Sequence, residues 1–128
     1  MANRFTELVI DCHDHDLVGR FWQEVLGYEV TDRSDGPDEF FVELTGPPGS
    51  GPTVLVSRGP DEKVGKNRLH IDVNATDRDQ DAEVERILAL GATHADVGQG
   101  DDVNWVVLAD PEGNEFCVLL SRVEPHPT

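Results

Sequence analysis

Five ionisable side chains, Glu7, Asp11, Arg68, His70 and Asp72, fall within or beside two short apolar runs, ELVIDC at 7–12 and LHIDV at 69–73. Strand side chains alternate between faces, so Leu8, Ile10 and Cys12 share one side of the first run and Glu7, Val9 and Asp11 the other. The same alternation puts Leu69, Ile71 and Val73 toward a helix and leaves Arg68, His70 and Asp72 on the opposite face. Charges on the inner face of a core strand cost free energy unless they are solvated, paired or metal-bound. A wall carrying all five is therefore a candidate site. Glu7 and Asp11 are the carboxylates that could move a proton, while Arg68 and Asp72 could hold a polar substrate beside Trp105 as an aromatic wall. The plain alternative is a set of solvated or ion-paired strand residues, for instance Arg68 with Asp72 or Asp11.

Other residue clusters carry less chemistry. His13, Asp14, His15 and Asp16 look metal-like, but they sit at a strand-to-helix junction, where capping accounts for the aspartates and surface exposure for the histidines. His94 and His126 have no partner pattern. GPPGSGP at 46–52 lacks the Lys-Ser/Thr of a phosphate-binding loop, and no nucleophile motif appears.

The elements that must position the five residues are written twice. Glu7, Asp14 and Leu26-Gly27 in the first half are matched, 63 residues or one more later, by His70, Asp77 and Leu90-Gly91 in the second. Spacing kept while residue types differ marks a duplicated supersecondary unit. In the first copy the pattern predicts a strand over 5–12 and a helix after DHD at 14–16, with Leu17, Val18, Phe21, Trp22, Val25 and Leu26 on one face. Gly27 is the expected stop, and strands near 28–32, 39–45 and 53–57 follow. After GPDEKVGK at 59–66, which has linker composition, the second copy predicts a strand at 67–74 and a helix over about 78–90 with Val84, Ile87 and Leu88 inward. Strands near 93–97, 103–109 and 114–121 complete it, DPEGNE forming a hairpin turn between the last two. The expected fold is α+β: two tandem βαβββ modules, about 5–58 and 67–121, in one domain spanning 1–128, with 122–128 a frayed tail.

Bulk properties set limits on partners. The 128 residues suffice for one core but not for two independent ones. Net charge is −16, from 26 acidic against 10 basic side chains, a balance that repels nucleic acid and anionic lipid. No apolar run is long enough to cross a bilayer, and Arg4, Glu7 and Asp11 interrupt any signal-peptide core, so a cytoplasmic protein is expected. Cys12 and Cys117 both lie in apolar runs, which suits buried, reduced thiols.

The segments LVIDCHD with FWQEVLGYEV, KNRLHIDV and ADPEGNEFCVL resemble the vicinal oxygen chelate superfamily, the glyoxalase, bleomycin-resistance and ring-cleaving dioxygenase group, over about 5–121. The resemblance implies a U-shaped mixed sheet around a cleft, a small-molecule ligand, a homodimer and often a divalent metal such as Zn, Ni, Mn or Fe. Family metals are held by residues on the first and last strands of the modules, and those positions here are Glu7, His70 and Cys117. Cys117 stands where a carboxylate is usual, and the matching place in the first module, near 53–55, offers no strong ligand. Two functions therefore stay open: a metal-dependent lyase, isomerase or oxygenase, and a metal-free binding or resistance protein.

Overall fold

The structure, a computed structural model, describes residues 1–126. It contains ten elements: β1 Glu7–Cys12, α1 His15–Leu26, β2 Glu29–Asp35, β3 Phe40–Thr45, β4 Thr53–Arg58, β5 Ile71–Val73, α2 Gln80–Ala89, β6 Thr93–His94, β7 Val106–Ala109 and β8 Glu115–Val118. The fold is α+β, built of two βαβββ modules. They form two compact units, and the chain passes from one to the other between Glu62 and Lys63, inside the segment of linker composition.

In the first unit the strand order is β1-β4-β3-β2, with β1 parallel to β4 and the other pairs antiparallel. Asp14 caps α1, its side chain accepting from the Leu17 amide at 3.1 Å, and Gly27 ends the helix in the left-handed region at φ 67°. Val18, Phe21, Trp22 and Val25 are buried on the inner face of α1, and Val42, Leu44, Val54 and Val56 are buried on the sheet. Gly19 lets helix and sheet approach closely: a Cβ there would sit 3.2 Å from the Val42 side chain. On β1 the alternation holds, with Glu7, Val9 and Asp11 exposed and Cys12 buried.

Three expectations for this unit change. β2 runs on to Asp35, because its ladder with β3 resumes after a bulge between Val30 and Asp32. Leu17 is 42% exposed and off the apolar stripe. His15 is buried rather than a surface group: its Nε2 lies 2.9 Å from Asp35 Oδ1 and its ring packs edge-on to Phe40.

In the second unit the order is β5-β8-β7-β6, again with the first pair parallel. Ile87, Leu108, Phe116 and Val118 are fully buried at its centre. The cap of α2 is Asp79, whose side chain accepts from the Ala82 amide at 2.8 Å, while Asp77 instead pairs with Arg78. Repeat spacing thus marked the helix but not its capping residue. Glu83, within the acidic first turns, is buried and held by Arg86 at 2.7 Å.

The strands here are shorter than 67–74, 93–97, 103–109 and 114–121. β5 begins at Ile71 because its ladder partner is Phe116, and Arg68–His70 precede the ladder. The alternation expected for Leu69 fails for that reason, and its side chain is 86% exposed instead of facing the helix. Trp105 likewise precedes β7. In the hairpin turn, Asp110 is buried, its Oδ1 accepting from the amides of Glu112 and Asn114 and its Oδ2 from Asn114 Nδ2. Beyond β8 the Val123 amide donates to the Ala75 carbonyl at 3.0 Å, so part of the expected tail is tied down; positions 127 and 128 lie outside the described residues. Among the described residues, no helix is long and apolar enough to cross a membrane.

Candidate functional site

The register of the parallel β5–β8 ladder sets Asp72 opposite Cys117. Directly paired residues of a sheet project to the same face, and His70, in the segment just before β5, brings its ring to them. One ligand atom from each of His70, Asp72 and Cys117 lies within 4.8 Å of the others, with His70 Nε2 3.1 Å from Asp72 Oδ1. The two ionisable groups are exposed and the thiol is buried, so the cluster has a dry side and an open side.

Burial pushes the Cys117 thiol above its ordinary pKa, and Asp72 adds to the shift through its charge and by accepting the thiol's hydrogen bond. A thiol so placed stays protonated at neutral pH and is a poor nucleophile. Both cysteines are free and buried.

The cluster lies on the wall of a cavity of about 330 Å³ in this unit. Val97, Val107, Phe116 and Leu119 give it an apolar lining, Trp105 contributes an indole that is 40% exposed, and Lys66 and Gln99 add polar groups. The segment before β5 is strapped to the β7–β8 hairpin. Glu115 accepts from Lys63 Nζ at 2.7 Å and from the Asn67 amide at 3.1 Å, and Asn67 Nδ2 donates to Asn114 Oδ1 at 3.1 Å. Burial alone would raise the Glu115 carboxyl; Lys63 and the Asn67 amide outweigh it and hold the group below its ordinary value.

Of the residues singled out from sequence, His70, Asp72, Cys117 and Trp105 meet at this cavity. Glu7 and Asp11 stand exposed on β1 of the other unit, and Arg68 is exposed in the segment before β5. Sequence reasoning missed Lys66, hidden in a stretch that reads as linker, and Glu115, hidden in a turn motif. For Asp72 the signal was present, since residues two apart in a strand share a face.

The donor set suits a metal. One imidazole, one carboxylate and one thiol match the three protein ligands of an open zinc site, and the thiol makes the set softer than magnesium or calcium would favour. Cation binding would have to displace the thiol proton.

The sequence pattern of the glyoxalase-like domain matches residues 7–119. No curated protein matches the chain in sequence. Among solved structures, a glyoxalase/bleomycin resistance protein/dioxygenase family enzyme from Burkholderia phytofirmans PsJN is similar at TM-score 0.67 and 20% identity, over 88% of this chain and 94% of that one. A mutant of the fosfomycin resistance protein FosX from Listeria monocytogenes, complexed with Mn(II) and 1S,2S-dihydroxypropylphosphonic acid, reaches TM-score 0.74 at 16% identity, over 96% of both chains. The oxidase ChaP-H2 gives 0.65 at 22% identity, over 97% of both. At these identities the likeness concerns the fold, whose members host different chemistries. With the family pattern covering nearly its whole length, the chain belongs to the glyoxalase-like domain family of the vicinal oxygen chelate superfamily.

Proposed function

We propose that the chain acts on a small organic molecule in the cavity of the second module, as a metal-dependent lyase, isomerase or oxygenase whose divalent cation is held by His70, Asp72 and Cys117. The observation that carries this reading is the convergence of three unlike ligand atoms within 4.8 Å on the wall of an otherwise apolar cavity. Zinc is the favoured ion because thiolate and imidazole together select a borderline-soft cation. When bound, the ion would act as a Lewis acid toward substrate oxygens.

The chain's own groups divide the remaining work. Buried Cys117 and the β5–β8 register fix two donors on the ladder, and His70, just outside it, faces Asp72 at the cavity wall. Val97, Val107 and Leu119 exclude water from one side of a bound molecule, and Trp105 flanks it. Glu7 and Asp11, expected from sequence to ligate or move a proton, are not needed to complete this donor set. As in the family, we take the working form to be a homodimer.

Elemental analysis of chain purified without chelator tests the reading. About one zinc per chain, lost in His70→Ala and Cys117→Ser, is expected. Less than about a tenth of an equivalent, with no uptake of added Zn, Ni, Mn or Fe, rejects it.

The same cluster supports one other reading. His70 Nε2 lies 3.1 Å from Asp72 Oδ1 and the Cys117 thiol is held protonated by burial and by Asp72, so the cluster could stand without an ion and serve a metal-free binding protein. The zinc measurement separates the two.

A further inference from the structure

The cavity's charges point to the class of molecule it takes. Two carboxylates line it, and both are engaged: Asp72 with His70 at 3.1 Å, and Glu115 with Lys63 at 2.7 Å and the Asn67 amide. Lys66 is different. Among the described residues its ammonium makes one hydrogen bond, to the carbonyl of neighbouring Asn67 at 3.1 Å, and no ion pair. It stands at the cavity because the strap on either side of it is fastened, Lys63 and Asn67 both binding Glu115. The cavity thus presents a cation with unspent hydrogen-bonding capacity together with an apolar lining of Val97, Val107 and Leu119.

We propose that this cavity takes a small carboxylate with an apolar, ring-sized body, the carboxylate held by Lys66 and the ring lying on Val97, Val107 and Leu119 beside Trp105. A volume of about 330 Å³ is at the small end of ligand cavities and admits one or two rings. The whole-chain charge of −16 opposes an anion at long range. Its field decays over roughly 8 Å at physiological salt, whereas a lysine–carboxylate hydrogen bond acts at contact, so the local term decides. A cationic ligand would meet the Lys66 ammonium on the same wall and find the Glu115 carboxylate already held by Lys63 and the Asn67 amide.

The inference rests on this cavity being the working site, as proposed above, but not on the cation. Its test is a calorimetric titration of the full chain, with chelator present so that no stray metal carries the carboxylate, using benzoate, benzamide and benzylamine as probes. Benzoate should bind about tenfold more tightly than benzamide, with benzylamine weakest. Lys66→Met should bring benzoate to the affinity of benzamide, while Lys66→Arg, which keeps the charge, should preserve the preference. Unchanged melting temperatures for both variants exclude misfolding. Benzylamine binding as well as benzoate, a preference that survives Lys66→Met, or no binding of any probe up to about 10 mM would each overturn the proposal. Zinc uptake without benzoate preference would leave the cation reading standing and remove this one; benzoate preference in a chain that takes up no zinc would do the reverse.

Discussion

Asp72 and Cys117 face each other across the parallel β5–β8 ladder, and burial, with the facing carboxylate adding to it, raises the thiol's pKa instead of activating it. A protonated thiol beside a carboxylate is not an acid–nucleophile couple. The hairpin that carries Cys117 and the strap that carries Lys66 meet at Glu115, so the thiol and the cavity wall share one support.

Asp110 holds that hairpin. Replacing it with Ala leaves the amides of Glu112 and Asn114 without the acceptor that the turn buries among them. We expect Asp110→Ala to lower unfolding free energy by about 2–3 kcal/mol, read by urea denaturation. A loss below about 0.5 kcal/mol would show that water replaces the carboxylate freely.

Glu115→Gln should loosen the strap. The Asn67 amide loses a charge-assisted acceptor and should exchange its hydrogen faster, by about tenfold, in a native-state exchange experiment. Amides in the β1–β4 ladder serve as the internal reference and should not change. Equal protection of Asn67 in both proteins would mean that Lys66 is placed by something other than this clamp.

Gly27 ends α1 at φ 67°, and a Cβ there would touch nothing within 4 Å. Strain in Gly27→Ala is then purely of the backbone, with an expected cost of about 1 kcal/mol seen as a lower urea midpoint with unchanged slope.

The acid limb of stability should carry the signature of Asp35. Its carboxyl is lowered to about 2, first by the hydrogen bond from Arg33 and next by that with His15. A carboxyl depressed by folding stabilises above its unfolded pKa, and the contribution is lost as pH falls from about 4 toward about 2. Asp35→Asn should therefore flatten the melting temperature over that window and lower it at neutral pH. Because the group is exposed, the difference should shrink in about 0.5 M salt. A wild-type profile that does not fall below pH 4 would contradict the assignment.

The duplication was legible because Glu7, Asp14 and Leu26-Gly27 recur with spacing intact in the second half, and periodicity found every helix and strand of both modules. Strand ends were not legible. β5 stops short of His70 because its ladder with β8 starts at the Ile71–Phe116 pair, a pairing 45 residues away that no local pattern encodes. That same long-range register puts Asp72 beside Cys117, a neighbour that the sequence pattern did not reveal. His15 read as a surface histidine because its partner, Asp35, arrives from a different strand. Lys66 was invisible for a related reason: a lysine among Gly, Asp and Glu has linker composition, and only the Glu115 clamp makes it a cavity wall.

The most direct test of the proposed centre is a cobalt(II) titration followed by absorbance, comparing wild type with Glu7→Gln, Asp72→Asn and Cys117→Ser. We predict a thiolate-to-cobalt charge-transfer band in wild type and Glu7→Gln, its disappearance in Cys117→Ser, and at least about tenfold weaker binding in Asp72→Asn. Failure of wild type to bind cobalt, or a band that persists in Cys117→Ser, would contradict the account.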